Sequence, residues 1–204
     1  MNALMPEIWP PLVYGFLLVL FRISALVALL PALGEASVPV RVKLAIAVSM
    51  TIIVFPLVEG TVPYFATDTS WIKALVVEIG IGLWFGILLR VFVFCLQTAG
   101  SIAAQATSLS QILGSAGVEP LPAMGHVITM AGMTLALTLG LYVHAVLYLL
   151  GSYTLFPTGQ VPDLALVSES GVAQIALGFR LAFSLAAPFV ILSILYNLTL
   201  GVIN

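Results

Sequence analysis

Arg22, Glu78, Arg90 and Arg180 are charged side chains set inside long apolar runs, and any chemistry in this chain starts from them. The stretch Leu12–Leu33 reads LVYGFLLVLFRISALVALLPAL, with Arg22 near its middle. An arginine at the centre of a membrane helix costs about 2.5–3.5 kcal/mol on an insertion scale, so protein or water must receive it. The plain alternative is a side chain whose apolar stem snorkels its head to the interface. That alternative suits Arg90 and suits Arg22 poorly, because Arg22 lies mid-run; Arg180 admits either reading. Glu78 is the candidate counter-ion for one of the arginines. Glu78 and Arg90 are twelve residues apart, about 18 Å along a helix, so they cannot pair with each other. Any pairing therefore runs between helices or between subunits.

Catalysis has little to work with. His126 and His144 are eighteen residues apart, about 27 Å if one helix carries both, which rules out a shared metal ion on that helix. A lone histidine in a membrane helix is more often a hydrogen-bonded packing residue than a proton relay. No H-x₃-H, DxD or Cys/His grouping occurs, and Cys95 is the only cysteine, so the chain holds no internal disulfide and no thiolate metal cluster. Asp68 and Asp163 fall between apolar runs without a G-x-S-x-G nucleophile motif. No phosphate-binding loop is present. The expectation is a protein that is not an enzyme and uses no cofactor. A proton-coupled transporter with Glu78 in its path is the alternative from another class, although transporters usually carry several intramembrane acids and internal symmetry.

The elements that position these residues follow from composition. Hydrophobic residues make up 62% of the 204 residues and charged residues 7%, where a soluble domain carries about 25%. An integral membrane protein results, with room for about five to seven spans of about 20 residues. The net charge of −2 offers nothing to nucleic acid. The apolar runs are Leu12–Leu33, Leu44–Val58, Trp71–Thr98, Ala123–Leu155 and Gly171–Asn204. The second is short and contains Pro56, which fits a tilted, re-entrant or half-hairpin segment. The fourth is long enough for a span plus an extension, or for a bent helix. Glu59–Ser70 and Asp163–Glu169 read as loops. Arg41 and Lys43 form the one basic pair in a loop, which places that loop on the cytoplasmic side. The N-terminal eleven residues lack Lys and Arg and do not read as a cleavable signal peptide.

Small residues recur at four-residue spacing: Ser24, Ala28 and Ala32; Gly82 and Gly86; Gly132, Ala136 and Gly140; Gly178, Ala182 and Ala186. That spacing stacks them on one helix face and lets another backbone come close. Gly82, Gly86, Gly132, Gly140 and Gly178 are the expected close-packing positions, within one bundle or between subunits.

The segment Gly100–Pro122 has another texture, GSIAAQATSLSQILGSAGVEPLP. It is too polar to face lipid as a loop and too poor in charge for an ordinary exposed one. Irregular backbone at membrane depth is tolerated where protein buries it or a water-filled cavity meets it. The segment suits a plug that moves aside in a wide channel; the competing reading is a plain linker within a helical hairpin.

Taken in order, these residues resemble a known family. The features are Arg22 and Pro31; Val38-Pro39-Val40-Arg41-Val42-Lys43; Glu78-Ile79-Gly80, then Gly86 and Gly100; a Gln-, Ser- and Gly-containing segment ending in Glu119-Pro120; His144, Ser152-Tyr153, Pro157 and Gly159; and Ala187-Pro188, Asn197 and Gly201-Val202-Ile203. Their order and spacing over nearly the whole chain resemble the FliR family of type III export-gate proteins, shared by flagella and virulence injectisomes. Two departures stand out: Glu119 occupies a position where the family usually has Asp, and the family continues beyond Asn204 with a further helical segment. Residues 1–204 therefore read as one FliR-like export-gate domain without that C-terminal segment.

The resemblance implies an all-α fold of multi-pass helical hairpins packed in a larger hetero-oligomeric helical assembly, in the bacterial inner membrane at the flagellar basal body. It implies FliP-like and FliQ-like subunits and an FlhB-like protein as partners, and unfolded flagellar proteins as substrates. It also implies a pore plug formed by Ala106, Thr107, Ser108, Leu109, Ser110, Gln111, Ile112, Leu113, Gly114, Ser115, Ala116 and Gly117. Arg22, Glu78, Arg90 and Arg180 become buried charge anchors between helices or subunits. The injectisome counterpart is the runner-up within the family.

Overall fold

A computed structural model describes residues 5–62, 68–107 and 121–203. Most of these residues are helical, with no strand among them: α1 is Met5–Leu29, α2 Val40–Val58, α3 Asp68–Thr107, α4 Leu121–Thr138, α5 Leu141–Leu155 and α6 Leu164–Ile203. A short 3₁₀ turn, Glu59–Thr61, follows α2. Helix is what a run this apolar must form in a bilayer, because it satisfies every backbone group within the segment. Among the described residues, α1, α2, α3 and α6 are long and apolar enough to cross a membrane, and α4 with α5 could make a fifth span.

Three boundaries differ from those the hydropathy pattern draws. The second run is a full span of 19 residues, because α2 starts at Val40, directly after Pro39, rather than at Leu44. Arg41 and Lys43 sit in its first turns, where polar side chains look like loop in a sequence. The third run does not end near Thr98; α3 continues through Gly100 to Thr107. The last run begins at Leu164, so Leu164–Glu169 is helix and not loop. Asp163 starts it: its carboxylate accepts from the Ala165 N–H at 2.9 Å, and its carbonyl accepts from the Val167 N–H at 3.0 Å. A short acidic side chain placed there satisfies donors that the first turn of a helix leaves free. The fourth run is broken. Gly140, at φ 85°, ends α4, and its N–H donates back to the Leu137 carbonyl at 3.1 Å. That left-handed backbone is what a residue without Cβ adopts freely.

The chain forms two compact units. The first comprises Met1–Arg90 and Tyr142–Glu169, and the second Val91–Leu141 and Ser170–Asn204. In the first, Val19, Ile23, Leu26 and Val27 of α1 pack with Ala47 and Val54 of α2 and with Ala145, Leu149 and Tyr153 of α5. α3 lies against α1 through its glycines. A Cβ on Gly82 would collide with the Arg22 carbonyl and lie 2.8 Å from Ala25 Cβ, and one on Gly86 would lie 2.8 Å from Leu29 Cβ. These pairings advance together along both helices, so α1 and α3 run parallel here. α5 runs the other way, with the Tyr142 hydroxyl donating to the Pro31 carbonyl and Ser152 reaching Arg22.

In the second unit, Cys95 and Ala99 of α3 pack with Ala182 of α6. A Cβ on Gly178 would lie 2.7 Å from Cys95 Sγ, and one on Gly132 2.6 Å from a Leu96 methyl. α3 and α4 touch backbone to backbone, where a Cβ on Gly100 would lie 2.6 Å from the Gly125 Cα.

Candidate functional site: a buried ion pair at the end of a helix

Within the first unit, α1 carries Arg22 and α3 carries Glu78, and both side chains are fully buried. Arg22 Nε donates to Glu78 Oε2 at 2.5 Å and Nη2 to Oε1 at 3.1 Å, so the guanidinium grips the carboxylate with two parallel bonds. The remaining donors turn to α5. Nη1 donates to Ser152 Oγ at 3.1 Å and Nη2 to the Phe156 carbonyl at 3.0 Å. The Tyr153 ring lies under the guanidinium, its centroid 4.1 Å from Cζ. A planar, delocalised cation with several fixed donors suits this position, and a lysine ammonium would not reproduce the fork.

Glu78 has a second task. Its Oε1 also accepts from the Gly159 N–H at 2.9 Å, and Gly159 has φ 77°. The two charges thus serve the backbone where α5 stops. α5 ends at Leu155, and the connection to α6 meets α1 at the level of Arg22. Arg22 lies seven residues before the C-terminal end of α1, about 10 Å along the helix. A non-helical connection at that depth has carbonyls and N–H groups that no helix satisfies, and in an apolar setting each unmade bond costs several kcal/mol. Arg22 supplies a donor to one such carbonyl and Glu78 an acceptor to one such N–H. The ion pair therefore neutralises itself while holding the turn.

The other charged positions lie elsewhere. Arg90 is partly exposed and comes within 3.9 Å of Glu35, itself half-exposed. Such a pair contributes about 0–1 kcal/mol. Arg180 is exposed on α6 and makes no ion pair among the described residues. Within this chain neither is a buried anchor. His126 is exposed on α4; His144 belongs to α5 and borders a shallow apolar cleft with Phe85, Leu147, Tyr148 and Leu155. The break at Gly140 removes the single continuous helix on which the two histidines would share a face. Among the described residues, no three His, Cys, Asp or Glu side chains converge as for a metal ion. Of the plug segment, Ala106 and Thr107 form the end of α3, and Ser108–Gly117 lie outside the described residues. Of the expected packing glycines, Gly82, Gly86, Gly132 and Gly178 meet neighbouring helices closely, and Gly140 makes the helix break.

Sequence reasoning uses Ser152 and Gly159 only for the resemblance and gives neither them nor Phe156 a place beside Arg22 and Glu78, although the three complete the site. The available signal is the turn Pro157-Thr158-Gly159-Gln160, whose Gln160 N–H donates to the Pro157 carbonyl at 3.2 Å.

Apolar helices of membrane-crossing length around a buried, self-neutralising ion pair define a multi-pass membrane protein with a polar centre inside one of its units. Residues 13–204 match the family described as bacterial export proteins, family 1. The flagellar biosynthetic protein FliR of Caulobacter vibrioides is 35% identical over 198 residues, covering 94% of this chain and 78% of that protein. The flagellar biosynthetic protein FliR of Escherichia coli is 30% identical over 191 residues, covering 91% and 71%. That of Aquifex aeolicus is 25% identical over 189 residues, covering 92% and 73%. The chain belongs to this family of bacterial export proteins.

Proposed function

We propose that the chain is a component of the flagellar protein export apparatus, acting as an export-gate subunit in the bacterial inner membrane. The observation that carries the reading is the family match over residues 13–204, together with similarity to proteins named for flagellar biosynthesis. In this reading the chain joins FliP-like and FliQ-like subunits and an FlhB-like protein. It lines the channel through which unfolded flagellar proteins leave, and the segment from Ala106 to Gly117 plugs that channel when it rests. Chemistry is left to other components, and the chain works by shape.

Two features support the reading. Large apolar side chains are exposed along α6, among them Phe183, Ile191, Leu192 and Leu195, as suits a helix covered by lipid or by neighbouring subunits. The Arg22–Glu78 pair holds irregular backbone inside protein. The transporter alternative loses ground at the same place, because both oxygens of Glu78 are engaged by Arg22 and Gly159. The flagellar names of the relatives favour a flagellar system over an injectisome.

The plug is tested by deleting Ser108–Gly117 and expressing the variant with its partners. Membranes should then leak small solutes that intact cells retain. Unchanged permeability in cells that contain the assembled variant would contradict the plug.

A further inference from the structure

Two hydroxyls at the polar centre of the first unit, Tyr153 Oη and Thr158 Oγ1, have no hydrogen-bond partner among the described residues. Both residues are buried, at 3% and 1% exposure. On the same helix as Tyr153, the hydroxyls of Tyr142, Ser152 and Thr154 donate to the carbonyls of Pro31, Leu149 and Gly151. Ser152 and Thr154 do so because a short side chain on a helix reaches back to a carbonyl of the preceding turn. Tyr153 cannot, because its ring carries the hydroxyl away from the backbone. Thr158 cannot, because it lies in the connection after α5 has ended. A hydroxyl closed off from solvent and left unpaired bears its full desolvation cost, so each of the two needs a partner.

Both hydroxyls border the ion pair. The Tyr153 ring lies under the guanidinium, its centroid 4.1 Å from Arg22 Cζ. Thr158 immediately precedes Gly159, whose N–H meets Glu78 Oε1 at 2.9 Å. The pair itself has bonding capacity left over. A guanidinium carries five N–H donors, and the described bonds of Arg22 use one on Nε, one on Nη1 and two on Nη2, so an Nη1 hydrogen remains. Glu78 Oε2 accepts from Arg22 Nε alone among the described residues.

We infer that Tyr153 and Thr158 bind buried water against the Arg22–Glu78 pair.

Charge selects the ligand. The pair is neutral as a unit, so an added cation or anion would bring an unopposed charge into a buried site. The groups to be satisfied are hydroxyls that both donate and accept, a spare N–H and a spare carboxylate lone pair. Water both donates and accepts, and a buried water typically makes about three such bonds. A larger organic ligand does not meet the need. The apolar cleft beside α5, bordered by Phe85, His144 and Leu155, is lined by neither Tyr153 nor Thr158, and a molecule seated there would leave both hydroxyls unpaired. Water on Thr158 gives the turn after α5 a third hold, beside the Phe156 carbonyl on Arg22 and the Gly159 N–H on Glu78. The inference concerns the first unit alone and rests neither on a bilayer around it nor on the export-gate reading.

The test is an electron cryomicroscopy map of the full chain, purified with the partners it retains, at a resolution that shows ordered water elsewhere in the complex. Density for water should stand about 2.5–3.0 Å from each hydroxyl. A second measurement removes the hydroxyls and keeps the shapes. Tyr153→Phe leaves the ring under the guanidinium, and Thr158→Val leaves a branched side chain in the turn. Each should lower the melting temperature of the purified chain by about 2–4 °C, because bonds made through water are lost. Unpaired hydroxyls predict the opposite sign, since their removal relieves a buried group of its desolvation cost. Both variants melting at or above the temperature of the unsubstituted chain would overturn the proposal. So would a map with water elsewhere and none at either hydroxyl, or one in which protein groups bond both hydroxyls directly.

Discussion

Removing one member of the Arg22–Glu78 pair leaves the other charged and buried with nothing to oppose it. Glu78→Ala also strands the Gly159 N–H, and Arg22→Leu strands the Phe156 carbonyl. Each single change should destabilise the chain by about 3–5 kcal/mol, read as a lower melting temperature in detergent and a lower level in membranes. Arg22→Lys should recover little, because an ammonium cannot make the two parallel bonds to the carboxylate. Arg22→Met combined with Glu78→Leu should recover much of the loss, since a buried pair replaced by apolar side chains of similar volume is often close to neutral. The backbone groups at Phe156 and Gly159 would keep it short of full recovery. A double variant no more stable than either single one would show that the pair is not the main source of the effect. Arg22→Leu should also impair assembly with partner subunits; unchanged recovery of those partners would refute its part in holding the gate together.

Helices succeed or fail here by how closely they approach. Gly80 and Gly82 lie two residues apart on α3, and they separate packing from propensity. Nothing lies within 4 Å of a Cβ placed on Gly80, whereas Gly82 sits against the backbone of Arg22. Gly82→Ala should cost about 1–3 kcal/mol by pushing α3 off α1 and loosening the grip on Glu78. Gly80→Ala should be neutral or stabilise by up to about 1 kcal/mol, because alanine is the better helix former. Thermal melts of the two variants decide it, and an equal effect would contradict close packing at Gly82. The apolar runs and the glycine stripes were legible in the sequence, because a bilayer forces helix and close helices require small residues. Where helices begin was not. Arg41, Lys43 and Asp163 sit in or just before first turns, and polar groups there mimic a loop in a hydropathy pattern. The need for a partner at Arg22 was also legible, and Glu78 was the candidate for one of the arginines, without the sequence saying which. Ser152, Phe156 and Gly159 were not, because they come more than a hundred residues later and only folding brings them to Arg22.

At the scale of the whole molecule, the chain reads as a member of an export-protein family whose apolar surface and polar centre suit an assembly. Its helices expose long apolar faces, and about a sixth of the apolar windows of α2 and α6 is buried inside the chain, so lipid or neighbours must cover the rest. Composition defines the membrane class, and the order and spacing of the quoted residues point to the family. The most direct measurement is the mass of the intact complex that the tagged full chain brings out of its native membrane in mild detergent. One copy of this chain together with several small, apolar membrane subunits is the result the export-gate account predicts. Recovery of the chain alone, or as a homo-oligomer, would contradict it.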